Sequence, residues 1–203
     1  MLRSLLAVVM LCSSVSAVAQ NAEQTLQRKL ASIKSFSASF EQQVFDAQKQ
    51  LLQQGKGELM IKQPALFRFE TTEPEPNLFI GDGQTLWFYN EMLEQLTIYD
   101  AAAEVNRTPF VLLTSSKAEL WAQYTVSRDA EQFVISANDP DSMVKQLILR
   151  FSGDALAQMQ VVDINSQRSE FNFTTVQLNI ALTRSLFSFE PPSGTDIDDQ
   201  RQR

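Results

Sequence analysis

The chain has 203 residues and a net charge of −7, from 24 acidic and 17 basic residues, and it contains no histidine. An acidic chain repels phosphate backbones, so a nucleic-acid partner is not expected. With no histidine and one cysteine, Ser-His-Asp triads, Cys-His nucleophiles and ordinary zinc sites are excluded. We expect neither a metal nor a cofactor, while an enzyme that works with carboxylates alone stays open.

The N-terminus has the pattern of an export signal. Arg3 supplies a positive charge, and the apolar run 5–11 is too short to span a bilayer. Residues 17–19, Ala-Val-Ala, fit a signal-peptidase site. The alternative interpretation is a buried N-terminal helix.

This pattern sets the expected domain boundaries. We predict a signal peptide over 1–19 and one domain over 20–203, with the mature chain starting at Gln20. Cys12 follows Leu11, which is not the small residue that a bacterial lipidation site needs. The mature chain is therefore expected to be soluble and to carry no lipid.

The first element of the predicted domain is an amphipathic helix over 22–32. Asn21 can cap it, with Gln24 three residues later as in a capping box. Leu26, Leu30 and Ile33 recur at helical spacing and predict one apolar stripe.

Strands follow, because apolar and polar residues alternate from Phe36 onward. Residues 71–77, with two prolines, predict a loop, and Asp82-Gly83 is typical of a hairpin turn. The regular spacing predicts a mostly antiparallel meander. The predicted strands lie at 36–40, 57–61, 67–69, 78–80, 86–89, 95–99, 124–127, 132–137, 146–151, 156–164 and 169–178.

One segment interrupts the strands. Thr108 can cap a helix and Pro109 suits its first position. Residues 110–113 are all apolar, so this helix must be enclosed or must cover something apolar. The tail from Pro191 is predicted to be extended coil.

The aromatic residues are mostly phenylalanine, with 14 Phe against 3 Tyr and 2 Trp. One-sided strands rich in Phe either close into a dry core or line a cavity, and periodicity does not separate these alternatives. If there is a cavity, the predicted lining residues are Phe36, Phe40, Leu59, Ile61, Phe67, Phe69, Leu78, Ile80, Trp87, Tyr89, Leu147 and Leu149, with Phe110, Leu112 and Leu113 covering it.

Two polar features have competing interpretations. Asp198 and Asp199, near Asp196, could bind a cation, although a solvated acidic tail explains them more simply. Arg68, among aromatic residues, either bridges to a neighbouring strand or faces solvent, and the alternation favours solvent.

Several motifs, in order, resemble the LolA family of periplasmic outer-membrane lipoprotein carriers. The similarity covers nearly the whole chain after residue 19. The matching segments are 35–42 (SFSASFEQ), 55–59 (GKGEL), 62–69 (KQPALFRF), 82–90 (DGQTLWFYN), 106–113 (NRTPFVLL), and the end at 187–192 and 198–201.

This resemblance implies a mainly β fold, an incomplete antiparallel β-barrel of about eleven strands. Short helices form a lid over a hydrophobic cavity for the acyl chains of lipoproteins. It also implies two protein partners, an inner-membrane ABC transporter that loads the carrier and an outer-membrane receptor that unloads it. The carrier is expected to be a monomer.

The sequence departs from the family pattern at one position. The family often has an arginine immediately before the proline of the third segment, where it helps to hold the lid closed. Here that residue is Gln63. An amide can still hydrogen-bond to the lid backbone, but it lacks the charged planar fork of arginine.

Three other functions compete with the carrier. A receptor of similar fold would need a lipidated N-terminal cysteine. An envelope-stress regulator on this half-barrel would need a further domain or a membrane helix. A carboxylate hydrolase would need two acidic residues that converge in a pocket.

Overall fold

Twelve strands form one open sheet in the computed structural model, which describes residues 13–101, 110–115 and 117–201. For residues 13–20, 110 and 111 only the backbone is described. The sheet order is β12-β6-β5-β4-β3-β2-β1-β11-β10-β9-β8-β7, so the two end strands do not pair and the barrel stays incomplete. The predicted mainly β half-barrel is confirmed.

The elements follow the chain in this order. The first half contains α1 (Ser13–Ser32), β1 (Ser35–Phe45), β2 (Leu51–Lys62), β3 (Leu66–Glu73), β4 (Asn77–Gly81), β5 (Thr85–Asn90) and β6 (Gln95–Asp100). The second half contains α2 (Phe110–Thr114), α3 (Ala118–Trp121), β7 (Tyr124–Asp129), β8 (Gln132–Ala137), β9 (Val144–Ser152), β10 (Ala155–Asp163), β11 (Arg168–Leu178), a 3₁₀ helix (Arg184–Phe187) and β12 (Asp196–Asp199).

Helix α1 packs on one face of this sheet, which we call the inner face. Its stripe of Ala22, Leu26, Leu30 and Ile33 is buried in the same cluster as the strand residues of that face. The helix begins at Ser13, so the predicted cap at Asn21 is wrong. Asn21 instead lies within the helix, where its carbonyl accepts a bond from the Thr25 hydroxyl at 2.7 Å.

The meander is confirmed by the strand registers. Neighbouring strands from β1 to β6 and from β7 to β11 pair antiparallel, and β1 pairs with β11 to join the two halves. The predicted hairpin turn is also present. The Asp82 carboxylate accepts bonds from the backbone of Gln84 and Thr85 at 2.8 and 2.7 Å, and Gly83 has a φ of +91°. The predicted loop at 71–77 is shorter than expected, because β3 extends to Glu73 and β4 begins at Asn77.

Gly57 on β2 brings β1, β2 and β3 close together. A Cβ there would lie 1.9 Å from the Glu70 backbone oxygen and 2.5 Å from the Phe40 ring. Only glycine therefore lets the Phe40 ring cross β2 on the inner face.

The prediction of extended coil from Pro191 is wrong for residues 196–199, which form a strand, while 191–195 are irregular. Residues 179–199 cross the opposite face of the sheet, which we call the outer face, and end in β12, parallel to β6. Phe187 is 2 % exposed and packs against Leu66 and Ile80. The predicted eleven antiparallel strands are present, and β12 adds a twelfth that the acidic tail did not suggest.

No helix in the described part of the chain is long and apolar enough to cross a membrane. Thr108 and Pro109, the predicted start of the second helix, lie outside the described residues. The helix itself is confirmed from Phe110 onward.

Ser35 ties the C-terminal segment to the start of β1. Its buried hydroxyl donates to the Ile180 oxygen at 2.6 Å, and its own carbonyl accepts from the Asn179 amide at 2.8 Å. Ser35→Ala removes the first bond, so we expect the free energy of unfolding in urea to fall by about 1 kcal/mol. Ser32→Ala is the control, because that exposed hydroxyl bonds within its own helix. Equal losses for the two variants would contradict this role.

Candidate functional site

The inner face gathers most of the predicted lining residues in one apolar cluster. The rings contact one another closely: Phe40 stacks on Phe69 at 4.8 Å between centroids, and Phe40 and Phe171 meet edge-on at 5.5 Å. The predicted residues that lie in this cluster are Phe36, Phe40, Leu59, Ile61, Phe67, Phe69, Leu147, Leu149, Leu112 and Leu113. These residues lie together on one face of the sheet, with Leu112 and Leu113 of α2 packed against the others. The side chain of Phe110 lies outside the description.

Four predicted lining residues lie on the outer face, so their placement in the cavity is wrong. Leu78, Ile80 and Trp87 pack with Phe187 of the C-terminal segment. Tyr89 stacks on Phe189 at 5.0 Å between ring centroids. β4 and β5 are apolar on both faces, and each of these residues points away from α1.

Their neighbours in sequence face inward instead. Phe79 and Leu86 join the inner cluster, and Phe88, 36 % exposed, meets Phe79 edge-on at 6.1 Å between centroids. Several further residues lie on the inner face although they were not among the predicted lining residues. They are Phe133, Ile135, Phe151, Leu156, Met159, Phe171 and Phe173. Alternation in β8, β9 and β11 could have identified most of these.

The inner face is covered by α1 near one end of the sheet and open near the other. Under α1, a small apolar cavity of about 20 Å³ is lined by Leu30, Ile33, Phe36, Ile61, Gln63, Leu113 and Leu156. That space holds about one water molecule. Near the β1–β2 and β3–β4 turns, an open cleft of about 400 Å³ is lined by Phe69, Phe79, Phe88, Val161 and Phe171, with a polar margin that includes Gln42, Gln53, Thr71 and Asn77.

Helices α2 and α3, which we call the lid, are held to the sheet by neutral hydrogen bonds. The Gln63 side-chain amide donates to the Leu113 carbonyl at 3.2 Å, and the Ala65 amide donates to the Thr114 carbonyl at 3.3 Å. The Trp121 indole donates to the Ser115 carbonyl at 2.9 Å and joins α3 to α2. Gln63 therefore makes the contact to the lid that its position predicted.

Arg68 lies on the outer face of the sheet, because it alternates with inward-facing Phe67 and Phe69. It forms an ion pair with Glu70 of its own strand at 2.6 Å, and its side chain is 24% exposed. Neither interpretation from the sequence describes it fully, since it is partly buried rather than solvent-facing and its partner lies on the same strand rather than on a neighbouring one.

The polar chemistry of the inner face is sparse. The buried polar side chains among the described residues are Ser35, Thr114 and Ser142. Burial raises the pKa of Tyr124 above its usual value, so this phenol stays neutral at physiological pH.

In the acidic tail, Asp199 pairs with Arg201 at 2.6 Å.

Comparisons with known proteins agree with this geometry. A family model described as "Outer membrane lipoprotein carrier protein LolA" matches residues 31–190. An outer-membrane lipoprotein carrier protein of Pseudoalteromonas translucida is 39% identical over 180 residues, covering 87% of this chain and 86% of that protein. One from Aliivibrio salmonicida is 38% identical over 192 residues, covering 94% and 96%.

A solved structure shares the fold at much lower identity. A DUF1329 family protein from Desulfovibrio piger aligns with a TM-score of 0.52 and 7% identity, covering 86% of this chain and 97% of that one. This match supports the half-barrel architecture alone.

Proposed function

Because the chain belongs to the LolA family of outer membrane lipoprotein carrier proteins, we propose that it carries lipoproteins through the periplasm with their acyl chains against the inner face. The observation that carries this proposal is the phenylalanine-rich inner face, packed under α1 and open as a cleft of about 400 Å³ near the other end. The cleft is the site where an acyl chain first binds.

Burial of each methylene group contributes roughly 0.8 kcal/mol. Several acyl chains together would therefore hold a lipoprotein in a membrane almost permanently. When the cargo leaves the inner membrane, its acyl chains lose the free energy of burial in the bilayer. An apolar inner face offsets this loss by burying them again. Since the cavity under α1 is only about 20 Å³, full loading requires α1 and the lid to move away from the sheet.

Separation of the lid explains how cargo could be released without a chemical energy source. Opening breaks the neutral bonds from Gln63 and Ala65 to the lid. Loading therefore costs free energy, and the carrier holds its cargo less tightly than a site that is already open would. Transfer to a receptor that binds the cargo more tightly is then favourable in free energy. This chemistry needs apolar walls and no catalytic residue, so we infer a non-enzymatic carrier.

The proposal includes partners and a location. An inner-membrane ABC transporter loads the monomeric carrier, and an outer-membrane lipoprotein receptor unloads it. Residues 1–19 serve as the export signal, which leaves Gln20 as the first residue in the periplasm. We assign acyl-chain contact to the inner-face residues and lid control to Gln63.

One purification tests these points together. The full chain, expressed with its signal in a Gram-negative host and purified from the periplasm, should have the intact mass of 20–203 with no lipid. Acylated lipoproteins should copurify with it. A diacylglyceryl mass on Cys12 would indicate a membrane-anchored receptor instead, and absence of acylated proteins from the purified carrier would refute the carrier function.

A further inference from the structure

A second groove runs between α1 and the lid, beside the Gln63–Leu113 hydrogen bond. Its volume is about 540 Å³. Residues of α1 and the turn after it form one wall, namely Gln24, Gln27, Arg28, Leu30, Ala31 and Lys34. Gln63, Leu113, Ser115 and Trp121 form the other.

The charge of this groove is opposite to that of the whole chain. Two cations, Arg28 and Lys34, line it, and none of its described lining residues carries a carboxylate, whereas the chain has a net charge of −7. Arg28 bonds to the Gln24 carbonyl and the Thr25 hydroxyl, both at 3.3 Å, and Lys34 bonds to the Ala31 carbonyl at 2.8 Å. Within the described residues neither cation makes an ion pair, so both charges are available to an anionic ligand.

The groove is continuous with the site for acyl chains. Leu30, Gln63 and Leu113 line both the groove and the small apolar cavity beneath α1. A lipoprotein whose acyl chains lie beneath α1 therefore leaves its polypeptide at this opening. The side-chain amide of Gln24 can hydrogen-bond to an extended backbone, whereas the Gln27 amide already donates to Glu23 at 2.9 Å and the Ser115 carbonyl already accepts from the Trp121 indole at 2.9 Å.

We propose that this groove binds the first residues of the cargo polypeptide, directly behind its acylated N-terminus, and that Arg28 and Lys34 favour acidic residues there. This inference rests on the proposed carrier function. It adds a site for the peptide part of the cargo, outside the apolar face that binds the acyl chains.

The experiment compares synthetic triacylated peptides that share their acyl chains and differ only in the residues that follow. One set carries several aspartates, one several lysines, and one only serines. Binding to the full mature protein is measured by fluorescence anisotropy at low and high salt. We expect the aspartate peptide to bind more tightly than the lysine peptide by between about 1.5-fold and fivefold for each charge contacted, and the difference to shrink at high salt because exposed charges are screened.

Single charge reversals locate the effect. Arg28→Glu and Lys34→Glu should each remove much of the preference for the aspartate peptide over the lysine peptide. Lys49→Glu is the matched control, because it changes the net charge equally at an exposed turn between β1 and β2. An equal effect of Lys49→Glu would overturn the assignment to the groove.

The outcomes separate the two proposals. If none of the acylated peptides binds, the carrier function itself fails. If all bind equally, the carrier function stands and the peptide groove is refuted. Phosphatidylglycerol vesicles, compared with phosphatidylcholine vesicles, test the other anionic ligand. Binding that depends on Arg28 and Lys34 with vesicles but not with peptides would overturn the proposal in favour of a lipid headgroup.

Discussion

An aspartate in place of Phe69 should weaken acyl-chain binding strongly while the protein stays folded. Phe69 lines the open cleft and is only partly buried, with its ring stacked on Phe40 at 4.8 Å. An acyl chain in the cleft would strip water from the new carboxylate. Burial of even a neutral polar group without a partner costs roughly 2–7 kcal/mol, so affinity for an acylated peptide should fall by at least about thirtyfold. Fluorescence anisotropy with the serine peptide gives this ratio.

Two variants make the result specific. Phe69→Leu keeps an apolar wall and should bind within a few-fold of the wild type. Leu78→Asp places the same charge at a partly buried position on the outer face, and it should lower thermal stability without loss of binding. Equal loss of binding in Phe69→Asp and Leu78→Asp would show that acyl chains do not bind to the inner face. Phe67 is less suitable for this test, since it is 1 % exposed and a charge there would also disturb folding.

Changes at Gln63 should shift cargo release in opposite directions. A neutral hydrogen bond contributes about 0.5–1.5 kcal/mol and a charged donor about 1.5–3 kcal/mol. Gln63→Leu removes the 3.2 Å bond to Leu113 and should slow transfer of cargo to receptor-bearing outer membranes by up to about tenfold. Gln63→Arg should stabilise the closed, empty carrier by roughly 1 kcal/mol and make release about fivefold easier.

The measurement is lipoprotein transfer from loaded carrier, run in parallel for the wild type and both variants. Arg68→Leu is the control, because Arg68 lies on the outer face and pairs there with Glu70 of its own strand. It should transfer cargo as the wild type does. Equal transfer by the wild type and Gln63→Leu would assign closure to the Ala65–Thr114 bond and to packing of the lid.

The inner face could be predicted from sequence wherever a strand is apolar on one side only. In β1, β2 and β3, polar or charged residues such as Ser37, Glu58 and Arg68 separate the inward residues. The buried side chains of these strands therefore recur at every second residue. The same rule identified Leu147 and Leu149, because Gln146 and Arg150 mark the opposite side of β9.

The rule failed where both sides of a strand are apolar. The runs 78–80 and 86–89 offer no polar residue to mark the outer face. Their assignment depends on Phe187 and Phe189, more than ninety residues later in the sequence, which cover that face. In β10 the alternation is broken by a register shift between Leu156 and Gln158, so Leu156 and Met159 are both inward although they are three residues apart. Such long-range packing is not encoded in any local window of sequence.

The short strand β12 has a consequence for how this protein behaves among copies of itself. The edge of β6 would otherwise present unpaired amides and carbonyls on which the strand of another molecule could add, the first step of aggregation. β12 occupies those groups from Gln95 to Ile98. The new edge is only four residues long and carries Asp196, Asp198 and Asp199, and short, charged edges resist further strand addition. The acidic tail thereby shields the β6 edge of the open sheet from strand addition by another copy of the chain.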